Sequence, residues 1–68
     1  MMTLETQRKL DEAVEDAEIQ RLSGHNRELA GILIRNCRDD LLTWPGLADG
    51  IIEDLSAALA GLREGVEV

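Results

Sequence analysis

Aromatic residues are nearly absent from this chain: there is no Phe, no Tyr and a single Trp among 68 residues. An aromatic-anchored core is therefore excluded, and any core must be built from short aliphatic side chains. With one Cys, no disulfide can form within the chain, and one His beside that Cys makes no metal site. Bases are scarce too, with seven Lys and Arg against fourteen Asp and Glu, for a net charge of −7. That balance argues against direct binding to nucleic acid or to an anionic membrane surface. No uncharged stretch approaches the roughly 20 residues of a membrane span. No apolar signal region follows the first residues, and with a single reduced Cys the expected location is cytoplasmic. Glycine-rich phosphate loops, Ser/His/Asp sets and Cys/His clusters are also missing from the sequence. The expectation is a protein that is not an enzyme and uses no cofactor or metal.

What is present is 44% hydrophobic content, rich in Leu and Ala. That is too apolar for a disordered chain and reads as all-α in a single small domain. A chain of this size buries only about 60% of its unfolded surface, so small domains lean on a disulfide, a metal or a second subunit. The first two being excluded, a homodimer is expected.

Three helical segments are predicted. The first covers residues 1–22, with Thr3 as N-cap and a thin apolar face of Leu10, Ala13, Val14 and Ala17. Ile19 and Leu22 point away from that face. They align with Leu29 and Leu33 if the helix runs on through Gly24. The segment therefore reads as weakly anchored, fraying or packing on a partner chain. The second segment spans 26–43, capped by Asn26 or Ser23. Its apolar arc covers about 200° at 100° per residue, wider than the ~100° stripe that one core contact needs. The Arg35–Asp39 spacing suits an i,i+4 pair. Trp44 precedes Pro45, which pushes it out of the α region, so a break falls there. The third segment, 45–64, keeps 3.6-residue spacing through Leu47, Ala48, Ile51, Ile52, Leu55, Ala58, Leu59 and Leu62. Gly65 and Val66 suit a C-terminal cap. The short link makes segments two and three an antiparallel hairpin, and two hairpins would dimerise into a four-helix bundle.

Candidate sites follow from this layout. The dimer interface is expected on Leu29, Ile32, Leu33, Asn36, Cys37 and Leu41, with Asn36 fixing register. Cys37 reads as a small buried hydrophobe and His25 as a solvated turn residue. Gly50, Asp54, Ala57 and Gly61 line up as a small-residue groove, either a place of close helix approach or tolerated surface glycine. Trp44 either closes the end of the hairpin core or stands exposed as a partner anchor. Asp11, Glu12, Glu15, Asp16 and Glu18 form one acidic patch. Asp39, Asp40, Asp49, Glu53 and Asp54 form a second near the hairpin turn.

The functional expectation is a protein-binding module that inhibits, adapts or chaperones another protein, a basic surface being one that its acidity suits. An alternative is an acidic decoy that imitates nucleic acid before a DNA- or RNA-binding complex. A third, a regulatory part of a transcription complex, lacks the basic base readers of a recognition helix. Charge is uneven along the chain: residues 23–38 are net +2, 11–22 carry −4 and 39–68 carry −6.

Overall fold

The computed structural model describes residues 2–64 and shows three α-helices and, among the described residues, no strand. Helix α1 spans Leu4–Asp16, α2 spans Gly24–Thr43 and α3 spans Ala48–Arg63. Gly65 and Val66, expected to cap α3, lie outside the described residues.

Each helix boundary has a local cause. Thr3 is extended (φ −74°, ψ 160°), and its Oγ1 accepts the Thr6 backbone N–H at 3.1 Å. That bond satisfies one of the free N–H groups at the start of α1. At the other end α1 stops at Asp16, six residues before the predicted limit. The chain reverses through Glu18, whose backbone is left-handed (φ 50°, ψ 46°), and then a 3₁₀ turn at Ile19–Arg21. Leu22 and Ser23 are extended, so Ile19 and Leu22 do not continue into α2. Both are instead half-buried against the core, which holds the reversal in place. A left-handed non-glycine residue costs about 1–2 kcal/mol. Glu18→Gly removes that cost but adds unfolded-state entropy, and it loses only an exposed pair with Arg21 at 3.6 Å. The net expectation is a gain of about 0.5–1 kcal/mol, read as a higher urea midpoint with an unchanged slope. A lower midpoint would contradict it.

Helix α2 begins at Gly24, two residues before the predicted start at Asn26, and Ser23 occupies its N-cap position, although its side chain makes no capping bond. Trp44 ends α2, as the following proline requires. Pro45–Leu47 forms a 3₁₀ turn, so α3 proper begins at Ala48 rather than Pro45.

Lys9 Nζ meets Asp49 Oδ1 at 2.7 Å, and Arg63 Nη1 donates to the Asp16 carbonyl at 2.8 Å. The starts of α1 and α3 are thus together, as are their ends, and the two run parallel with α2 antiparallel to both. The 20 residues of α2 match the 32 Å long axis of the molecule. Helix α3 is central and packs against both others. Its Ile52, Leu55, Leu59 and Leu62 meet Leu10, Ala13 and Ala17 from the first helix and its cap. From α2 they meet Ala30, Cys37 and Leu41. Leu10 and Leu59 are the largest fully buried side chains.

This packing corrects the expectation for the first segment. Its face is thin, yet Leu10 is completely enclosed and two alanines let α1 lie close to α3. The chain reversal at 17–23 returns α2 alongside, so helix one docks on its own chain. The predicted Arg35–Asp39 pair is not formed; the i,i+4 ion pair among the described residues is Glu5–Lys9 at 3.9 Å. No helix among the described residues is long and apolar enough to cross a membrane.

Candidate functional site

The structure divides the wide apolar arc of α2. Ala30, Cys37 and Leu41 turn into the core, where α3 and the reversal after α1 cover them. Leu29 and Leu33 are only half-covered, and Ile32 remains 44% exposed. Of the six residues expected at a dimer interface, Cys37 and Leu41 therefore belong to the core of the single chain. Leu29, Ile32, Leu33 and Asn36 stay on an open side of α2.

Helix α3 supplies the opposite wall. Leu33, Asn36, Cys37 and Asp40 face Ile51, Asp54, Leu55 and Ala58 across a shallow groove of about 200 Å³. The side of α3 that forms this wall carries Ile51, Asp54, Ala58 and Gly61 at i, i+3, i+7 and i+10, one helical stripe. Leu47 stands one turn before Ile51 and is 63% exposed, although periodicity placed it in the core. The 3₁₀ turn at Pro45–Leu47 leaves it at the corner, clear of the packed face. Ile51 and Ala58 were read simply as core positions. Their true place, on the edge of the core, depends on where α2 lies.

Gly50, Asp54 and Ala57 are exposed, and Gly61 is half-buried. A Cβ added at Gly50 or Gly61 would meet nothing within 4 Å. Open space thus lies above both glycines, while Asp54 belongs to the groove wall itself.

Trp44 does not close the hairpin core. It is 59% exposed at the corner between α2 and α3, beside exposed Leu42 and Leu47. Its backbone N–H donates to the Asp40 carbonyl at 2.7 Å, closing the last turn of α2. Leu4 is exposed at the same end of the bundle, because α1 and α3 begin together.

The acidic residues sort into distinct places. Asp11, Glu12, Glu15, Asp16 and Glu18 are all exposed along α1 and its reversal. Asp11 accepts a hydrogen bond from Gln7 Nε2 at 2.9 Å. The second predicted patch is split by α3. Asp49 and Glu53 turn toward α1, where Asp49 holds the Lys9 ammonium and raises its pKa by hydrogen bonding and charge. Asp40 and Asp54 instead border the open groove. His25 is exposed in the first turn of α2.

Cys37 lies at the groove floor but is buried. Burial pushes its thiol pKa up, and the Asp40 carboxylate pushes it the same way. The thiol stays protonated at neutral pH, the opposite of what a nucleophile needs.

Comparison with known proteins finds no matching family model, no matching curated protein and no matching solved structure.

Proposed function

We propose that this chain is a small, non-enzymatic protein-interaction module whose working surface is the open α2/α3 face. It would act as an inhibitor, adaptor or chaperone-like regulator by accepting a helix from another polypeptide. The observation that carries this reading is the half-covered apolar strip between the two helices. There Leu29, Leu33, Ile51 and Ala58 are neither buried nor solvated, with Ile32 and Leu47 exposed beside them. A helix laid on such a strip completes its burial at about 25 cal/mol per Å² of apolar area. A second copy would do so as a four-helix bundle of two α2/α3 hairpins, the homodimer that the wide arc of α2 suggests. Another protein would do so as a heteromeric complex.

The exposed carboxylates of α1 support a second reading, an acidic decoy for a nucleic-acid-binding protein. A photo-crosslinking residue tests both. Placed at position 32 in the producing cell, it is expected to give discrete protein adducts, and at position 15, on the outer face of α1, none. An adduct of twice the chain mass would report self-association. Adducts from position 15 alone would favour the decoy, and silence at position 32 would remove the interaction reading.

A further inference from the structure

We propose that the α2/α3 groove holds one amphipathic helix of another protein. The apolar stripe of that helix would lie on Leu33, Ile51 and Ala58, and its Lys or Arg side chains at Asp40 and Asp54. This inference rests on the interaction reading above and names the occupant.

Dimensions suit a single helix. The groove runs from Leu33 to Asp40 on α2 and from Ile51 to Ala58 on α3, about 10 Å at ~1.5 Å per residue, or two turns of a seated helix. A helix seated between two antiparallel helices packs at roughly 8–10 Å from each axis, the closer end where contact residues are small. Ala58 and Gly61 provide that on the α3 side, and Gly61 has open space above it.

Charge selects the partner. Asp40 and Asp54 are both exposed at the groove, and among the described residues neither makes an ion pair. Among the described residues no cation lies within ion-pair distance of them. Lys9 is engaged by Asp49 on the α1 side, and Arg63 reaches the Asp16 carbonyl there. Arg27 and Arg38 fall on the other flank of α2, and Arg35 on its outer surface, by the 100° step of the helix. Only His25, at the far end of α2, shares the side of Ile32 and Asn36. A second copy laid on this face therefore adds two more carboxylates and no Lys or Arg. Covering carboxylates without a cation costs several kcal/mol per group in a dry interface. A helix bearing Lys or Arg at those two points removes the cost and gains charge-assisted hydrogen bonds. Trp44 and Leu47 lie one turn beyond the lining residues Asp40 and Ile51, and their exposed side chains offer an apolar anchor of the kind that dominates binding energy.

The test uses the full chain and Trp-free peptides of about 14 residues, roughly 21 Å at ~1.5 Å each, long enough to fill the groove and pass the corner at Trp44. Each peptide carries Leu at i, i+3, i+4 and i+7. One has Lys and Arg flanking that stripe and its sibling has Glu there. Because Trp44 is the only Trp, its emission reports binding directly. The basic peptide is expected to bind at least about tenfold more tightly than the acidic one, a difference of ~1.4 kcal/mol. Its affinity should fall as salt rises. D40N/D54N is expected to erase most of that preference, and because both side chains are exposed the circular dichroism should not change. Equal binding of both peptides, or a preference untouched by D40N/D54N, overturns the proposal. A concentration-dependent doubling of mass that Ile32→Lys abolishes identifies a second copy as the occupant. That result overturns this inference and leaves the interaction reading standing. No peptide binding, no doubling and no adducts from position 32, in a chain that remains folded, removes both.

Discussion

Leu59→Ala is expected to unfold a large part of the population at 25 °C. Leu59 is fully buried at the centre of α3, the helix that touches both others. Large-to-small changes at such sites cost about 2–5 kcal/mol, the lost transfer energy plus the cavity left behind. A chain of this length has roughly 3–10 kcal/mol in total, at ~0.05–0.15 kcal/mol per residue. With no Phe or Tyr and the only Trp at the surface, no bulky side chain is at hand to relax into the gap. Far-UV circular dichroism should show a melting point lower by at least about 10 °C, at ~4–8 °C per kcal/mol for a domain of this size. Trp44 fluorescence is a poor probe here, since the residue is already exposed in the folded state. A shift below about 3 °C, under the ~1 kcal/mol scale of an ordinary surface change, would mean that α3 is not the organising element.

Leu10→Asp is expected to be at least as damaging. Leu10 is the only large side chain that α1 buries, and its partners in that core are short. An aspartate there leaves an unpaired carboxylate without water, one of the few single changes that exceed 3 kcal/mol. Once released, α1 has no means of staying helical, because isolated helices of 13 residues are marginal in water. Its departure also uncovers Ile52 and Leu59 on α3. The whole helical signal should therefore be lost in a single transition. Loss confined to the share that α1's 13 residues contribute would show instead that α2 and α3 stand alone, and that α1 is an appendage.

These two variants bear on the part of the fold that was hardest to read. The all-helical class was legible from Leu and Ala content and from scarce turn residues. The cap at Thr3 and the break at Trp44-Pro45 were legible because each is a local event, set by one hydroxyl or one pyrrolidine ring. The end of α1 was not. No Gly or Pro marks residues 17 and 18, and a glutamate takes the left-handed turn. Burial of Ile19 and Leu22 compensates that backbone cost, and such compensation exists only after the helices have met. The candidate site was legible in the same partial way. Ile32, Asn36 and Asp54 were recognised as surface candidates. Trp44 was as consistent with the core as with the surface, and Ile51 and Ala58 were absorbed into the periodic face of α3.

By itself, the amino-acid order determined which residues are apolar, which face of each helix they share and where the charge falls. It also determined that no disulfide or aromatic cluster could hold the chain, and that α2 carries more apolar surface than one neighbour covers. Only the tertiary structure decided which neighbour covers which part of that surface. Helix periodicity reports angles about one axis and says nothing of the axis beside it. A reversal at Glu18 brings α1 back onto α3, closing one side of the core over Cys37 and Leu41. The opposite side, from Ile32 to Ala58, stays open with Asp40 and Asp54 beside it.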